Sequence, residues 1–351
     1  MISVVIRVDA DHSIGLGHAV RCAALAEALT EASGGGVAVT VVGAGTVLPG
    51  LFPGGQVLAI AADDDDAFAR ILAEREPAAV VIDHPHRVGS WVRRVRQTRP
   101  DAAVVVIDDE GGERDADLVI NGTVPDAYHH YSGLPERARM LLGPCYTLLR
   151  PAFGRVSWSP PPADSADAGV VMVVGSGARA TRWVTFLLSK AVDRSGWGAR
   201  PRLVVGAAFP EPAALAKACD AAGLSLAVGL GAVDLASALA SASVALITGG
   251  MIVCEALAVG VPMVVYPQEA NLVPEARWLA ARGCLIDLGA EGGFQALAVQ
   301  AAVAALRGDR DRAEAMSRCQ RRLMDGRGAE RVAVALLAIC GASPSYNTLE
   351  P

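Results

Sequence analysis

The chemistry in this sequence begins at a short glycine-rich turn. Gly15-Leu16-Gly17-His18 stands between an apolar run, Ser3 to Val8, and a stretch from Gly17 to Thr30 in which Ala, Leu and Val recur at helical spacing. Two glycines permit a tight backbone path and close approach of a ligand. A helix N-terminus behind them presents unbonded N–H groups and partial positive charge to an anion. An imidazole at that point can take a proton from water or from a hydroxyl. His18 is therefore the candidate general base, with Asp11 or Asp83 to orient it. A second turn of the same kind is Thr248-Gly249-Gly250-Met251-Ile252, again between an apolar run and a helical stretch. Gly249 and Gly250 can offer backbone N–H groups to a diphosphate, and Glu255, about one helical turn on, can accept hydrogen bonds from ribose hydroxyls.

Other chemistries fit less well. A dinucleotide fingerprint needs a third Gly or Ala three residues after Gly17, where Val20 stands, and no acidic residue closes the second strand near Thr40. The run Asp63 to Asp66 reads as a solvated N-terminal turn favoured by the helix dipole rather than as a metal site. His84 and His86, two apart at a strand end, point to one side and with Asp83 suggest a metal pair, but no third ligand is visible, so no metal and no cofactor are expected. The seven cysteines are widely spaced, without a Cys-x-x-Cys pair, and read as reduced thiols of a cytoplasmic protein. Net charge is −6 and the arginines form no basic stripe, which argues against nucleic acid as a partner. Arg7 and Asp9 interrupt the first apolar run long before it reaches membrane-span length, so no span and no targeting segment are expected.

The elements that must position these residues are strands alternating with helices. Val- and Ile-rich runs at Ser3 to Val8, Val37 to Val42, Val57 to Ile60, Ala79 to Ile82, Ala103 to Ile107 and Leu118 to Ile120 predict a parallel sheet. After a Ser-Pro-rich stretch the pattern restarts at Val170 to Val174, Arg202 to Val205, Leu226 to Val228, Val244 to Ile247, Pro262 to Tyr266 and Leu285 to Leu288. A composition 52% hydrophobic but only 5% aromatic suits helix-covered sheets with Ala, Val and Leu interiors. The sequence thus predicts two doubly wound, Rossmann-like α/β domains facing a ligand cleft: residues 1–156, a linker at 157–168, a second domain at 169–342 ending in two or three helices, and a tail at 343–351. In such sheets the strand-to-helix turns face the ligand crevice.

The stretch from Ile6-Arg7-Val8-Asp9-Ala10-Asp11 through Gly17-His18-Ala19-Val20-Arg21-Cys22 resembles the opening of the pseudaminic-acid pathway UDP-sugar hydrolases and of spore-coat polysaccharide proteins. Further similarity lies at Ile82-Asp83-His84, at Ile107-Asp108-Asp109 with Asn121, and at Leu141 to Pro151. The resemblance implies a GT-B fold, hydrolysis of a UDP-amino-deoxysugar to free sugar and UDP, and His18 as the base. It also implies substrate contacts from Arg21, His84, Asn121 and Asn271, phosphate contacts from Gly175-Ser176-Gly177, and UDP held by the Thr248–Glu255 stretch. The sequence departs from the family at Pro85, where a Tyr is usual, at Leu272, where a Gln follows the Asn, and in the glycine pattern after Val174. These departures keep two rivals to the hydrolase in play. One is a GT-B glycosyltransferase that passes the sugar to an acceptor hydroxyl, and the other is a nucleotide-sugar-binding protein without catalysis.

Overall fold

Valine and isoleucine crowd both faces of the strands, as expected when helices cover a parallel sheet on two sides. The computed structural model describes residues 1–10, 16–162, 169–175, 178–198, 201–207, 209–267, 270–289 and 295–344. It divides into two units, Met1–Pro151 with Gly326–Pro351, and Ala152–Asp325.

The first unit runs β1 (Ile2–Val8), α1 (Gly17–Ala32), β2 (Val37–Gly43), α2 (Leu48–Leu51), β3 (Gln56–Ala59), α3 (Asp65–Arg75), β4 (Ala79–Asp83), α4 (Val88–Thr98), β5 (Ala103–Ile107), β6 (Gly112–Glu113), β7 (Leu118–Asn121), β8 (Tyr131–Ser132) and β9 (Arg139–Leu142). Its main sheet has the order β3-β2-β1-β4-β5-β7-β9 with every pair parallel, and β6 and β8 form a small pair of their own. Chain order reverses between β1 and β4, the kind of switch point at which ligands bind doubly wound sheets. Both faces are apolar. Val4, Ile6 and Val8 share a core with Cys22, Leu25 and Leu29 of α1, while Val5 lies opposite among Phe68, Leu72 and Trp91. α3 starts at an acidic turn, as expected: the Asp64 carboxylate caps the Ala67 N–H at 2.8 Å.

The second unit runs β10 (Val170–Val174), α5 (Ala178–Leu188), β11 (Arg202–Val205), α6 (Pro212–Ala221), β12 (Ser225–Val228), α7 (Ala232–Ser241), β13 (Val244–Ile247), α8 (Met251–Val259), β14 (Met263–Val265), α9 (Val273–Ala281), β15 (Ile286–Asp287), α10 (Ala296–Gly308) and α11 (Arg310–Leu323). Its sheet is again wholly parallel, in the order β12-β11-β10-β13-β14-β15, with the reversal between β10 and β13.

Two boundaries differ from the sequence reading. The last helix, α12 (Gly328–Ile339), belongs to the first unit and not to the second domain in which residues 326–342 were expected. Its buried Val332, Ala333, Leu336 and Leu337 join the core of α1 and β1. Gly328 admits this docking, because a Cβ there would fall 2.2 Å from the Thr147 carbonyl oxygen. An apolar helical face fits any apolar sheet cover, so periodicity alone does not say which sheet it caps. The stretch read as a linker from residue 157 is also anchored at its start. Trp158 is buried, and its Nε1 donates to the Ala242 carbonyl at 2.7 Å while its N–H donates to Val259 at 2.8 Å, within the second unit. Among the described residues no helix is long and apolar enough to cross a membrane.

Candidate functional site

Register places the reactive groups of the first unit on one edge. Val8 of β1 pairs with Asp83 of β4, so Asp83 ends its strand at the switch point, where α1 also begins. His18 and Arg21 lie three residues apart on α1 and therefore share a face one turn deep. Both reach Asp83. The fully buried carboxylate lies 2.7 Å from His18 Nδ1 through Oδ1, and it accepts from Arg21 Nε at 2.6 Å through Oδ2 and from Arg21 Nη2 at 2.7 Å through Oδ1. The Cys22 thiol donates to the same carboxylate at 3.5 Å. Arg21 Nη1 turns the other way and donates to both oxygens of Asp109, which follows β5, at 2.7 and 2.8 Å.

The tautomer of His18 follows from these distances. A bare nitrogen lone pair 2.7 Å from an ionised oxygen would be repelled, so Nδ1 carries the proton and donates to Asp83. Arg21 Nη2, 3.1 Å from the same nitrogen, is then a neighbour and not its donor. In the neutral imidazole this leaves the Nε2 lone pair for proton abstraction. Burial would raise the Asp83 carboxyl, but the Arg21 charge and the hydrogen bonds from Arg21 and His18 outweigh it and bring the pKa down to about 2. Arg21 is also buried, and its two carboxylates hold it charged, well above its ordinary value. Burial, followed by the Asp83 charge, pushes the Cys22 thiol far up, so Cys22 is no thiolate nucleophile.

Three residues expected to touch substrate have partners within the chain. Arg21 spends its guanidinium on Asp83 and Asp109. His84 is buried, and its Nδ1 accepts the His86 N–H at 3.0 Å and the Arg87 N–H at 3.1 Å, which shapes the turn into α4. Its remaining proton is on Nε2, 3.7 Å from Asp9 Oδ2, and burial lowers its pKa, with the Arg7 and His18 charges acting in the same direction against Asp9. Asn121 is fully buried and uses both ends of its amide: Nδ2 donates to the Tyr128 carbonyl at 2.9 Å and to the Tyr131 hydroxyl at 2.7 Å, and Oδ1 accepts from the Thr123 N–H and hydroxyl. Tyr131 in turn donates to Asp108 at 2.8 Å, so this network fastens the connection from β7 to β8. Asp11 and Gly15 lie outside the described residues, and Gly17 is exposed as the first residue of α1.

Residues the motifs did not single out support this edge from behind. Arg7 is buried in β1, ion-paired with Asp9, and stacked 3.8 Å above the Trp91 ring. Asp9 also accepts the Ala44 N–H at 2.7 Å, which ties the ends of β1 and β2 together. The signal was present as two opposite charges flanking Val8 in an otherwise apolar strand. Asp109 had a similar signal, an Asp-Asp pair closing a buried strand.

In the second unit both glycine turns lie at its own switch point, after the neighbouring strands β10 and β13. Gly249 has φ 100° and Gly250 has φ 83° with ψ −165°, a region open essentially to glycine alone. The pair turns the chain directly into α8, whose first N–H groups, those of Met251 and Ile252, precede the bond from the Val253 N–H to the Gly250 carbonyl at 2.9 Å. Thr248 is buried beside this turn, and Glu255 is nearly buried one turn into the helix, at 5% exposure. A Cβ on Gly249 would fall 2.9 Å from Leu272 Cδ1, so the leucine that replaces the expected Gln packs on the glycine itself. Gly175 is exposed after β10, while Ser176, Gly177 and the Asn271 side chain lie outside what is described. Tyr266, just past β14, stacks on the buried Trp183 of α5 at 4.7 Å and 8°.

Among the described residues no group of three or more His, Cys, Asp or Glu side chains is placed to hold a metal ion. The His84 and His86 rings lie edge to face, 6.1 Å apart. All seven cysteines are free thiols.

No protein-family model matches the chain, and no curated protein matches it either. Solved structures do. CalG4, the calicheamicin glycosyltransferase, superposes with a TM-score of 0.63 over 97% of this chain and 98% of its own, at 19% identity. The fold is GT-B. MurG of Acinetobacter baumannii gives a TM-score of 0.65 over 96% of this chain and 99% of its own, at 14% identity. The S. aureus MnaA–UDP co-structure gives 0.64 over 99% and 100%, also at 14% identity. At such identities the likeness carries the architecture, and function has to be argued from the site.

Proposed function

We propose that this chain transfers a glycosyl group from a UDP-sugar to a hydroxyl acceptor, with His18 as the base. The observation that carries the reading is the His18–Asp83 dyad: Nδ1–H held 2.7 Å from a buried carboxylate, with Nε2 left as acceptor. In this reading Nε2 removes the acceptor proton as the oxygen attacks the anomeric carbon. The carbon–oxygen bond to the diphosphate breaks, and the leaving group departs with the bonding pair. Within the second unit, the N–H groups at Gly250, Met251 and Ile252 at the start of α8 are suited to hold an anionic diphosphate. Asp83 is fully buried and clamped, so it is not available as a covalent nucleophile. A single displacement follows, and the product anomer is inverted. Structural relatives of this fold include enzymes named as glycosyltransferases and one solved with UDP, which supports both the reaction class and the nucleotide.

A second reading, hydrolysis, is favoured by the likeness of the first-unit segments to the UDP-sugar hydrolases. Water would take the acceptor's place at the same base. NMR of a panel of UDP-hexoses and UDP-amino sugars, with and without hydroxylated acceptors, separates the two. UDP release that depends on acceptor supports transfer. Equal release of UDP and free reducing sugar without acceptor assigns hydrolysis. Binding of UDP with no release under either condition leaves only a binding protein and overturns both readings.

A further inference from the structure

We infer that Arg21 and Asp109 are positioning residues, a charge-compensating clamp that keeps Asp83 effective as the partner of His18 and thereby sets the pH at which His18 works. The inference rests on His18 being the base, as proposed above.

The geometry of the clamp is specific. Arg21 engages Asp83 with Nε and Nη2 and Asp109 with Nη1, so one planar guanidinium spans two carboxylates. Arg21 is nine-tenths shielded in its side chain and Asp83 is fully buried, whereas Asp109 is 43% exposed. Arg21 by itself would cancel the charge of Asp83 and leave His18 facing a neutral pair. Asp109 balances Arg21 in turn. With neutral His18 the quartet carries one net negative charge, and protonation of His18 brings it to zero. Without Asp109 the same step would run from zero to one net positive charge in a buried site, which opposes proton uptake. Among the described residues, the other charged or titratable groups on the neighbouring elements include His84 after β4, which the turn beside it keeps in its neutral form, and His86 and Arg87 beyond it, with Arg87 paired to Asp65. The Arg7–Asp9 pair at the end of β1 and the Asp108–Arg114 pair after β5 are each internally balanced, and Glu110 follows Asp109. Cys22 on α1 is held as a thiol by burial. Of the charges in direct contact with Asp83 and Arg21, Asp109 is the partly exposed one.

The test reads His18 directly, by long-range proton–nitrogen NMR of its ring across a pH series, so it does not depend on turnover. Asp109→Asn, at the exposed end of the clamp, should lower the His18 midpoint by about one unit and move the acidic limb of kcat/KM the same way. Arg21→Gln should raise the midpoint by about one unit or more. Arg21→Lys keeps the charge but loses the planar fork, so its midpoint should lie between wild type and Arg21→Gln. His18 midpoints within about 0.2 units of wild type in both Asp109→Asn and Arg21→Gln would overturn the clamp. If the NMR shifts appear while no UDP-sugar is turned over, the clamp stands and the proposed reaction fails.

Discussion

Replacing Asp83 by Asn tests the centre of the site with almost no change of shape. The wild-type carboxyl is fully buried and brought from an ordinary 3.8 down to about 2 by Arg21 and His18. At 1.36 kcal/mol per unit, that depression stabilises the folded chain by ~2 kcal/mol at neutral pH. Because the folded value lies below the unfolded one, the contribution is complete above about pH 5. It is lost as pH falls through the interval from the unfolded to the folded value, with about half remaining near pH 3. Asn cannot titrate, so its deficit against wild type should shrink by the same ~2 kcal/mol between pH 7 and pH 2. The deficit at pH 7 should also include the cost of leaving Arg21 short of one carboxylate, part of which Asp109 offsets. Urea unfolding followed by hydrogen-exchange mass spectrometry of β1, α1 and β4 peptides reads the first unit by itself. A wild-type-minus-variant difference that is the same at pH 3 as at pH 7 would refute the reasoning. Catalysis should suffer for a separate reason. Either orientation of the Asn amide sets its NH2 against an Arg21 N–H, because Nη2 meets Oδ1 and Nε meets Oδ2, and it removes the negative charge that holds the His18 Nδ1 proton and supports the imidazolium. A loss on the order of 10²–10⁴ in kcat is expected.

Three further outcomes follow from the geometry. His18→Ala should lower turnover on the order of 10²–10⁴ with UDP affinity unchanged by calorimetry, and unchanged turnover would remove His18 as the base. Gly250→Ala places a side chain at φ 83°, ψ −165°, a strain of about 1–3 kcal/mol. UDP should then bind roughly tenfold or more weakly by calorimetry. Leu336→Ala empties a fully buried position of α12 and should cost about 2–5 kcal/mol. Faster hydrogen exchange should appear in β1 and α1 but not in β10 and β13, and the reverse pattern would mean that α12 stabilises the other unit.

The sequence by itself determined a great deal here. Val- and Ile-rich runs at helix-length spacing have few alternatives to parallel strands, and the twelve predicted runs all form strands. Glycines at the start of α1 and just after β10 and β13 marked the strand-to-helix connections at the two switch points. His18 stood out as a residue type that performs acid–base chemistry, with Asp11 or Asp83 as the candidate to orient it, and the fold sets Asp83 beside it. What each side chain is engaged with was decided only by tertiary structure. Arg21, His84 and Asn121 read as ligand contacts in a motif, and the fold shows their partners within the chain: Asp83 and Asp109, the turn at His86, and Tyr128 and Tyr131. The partners of His84 lie two and three residues on and are set by the local turn, whereas those of Arg21 lie 62 and 88 residues away, beyond any local pattern. The same holds for α12. Its periodicity announces an apolar face, but only the packed core shows that the chain returns after residue 325 to cover the sheet with which it began.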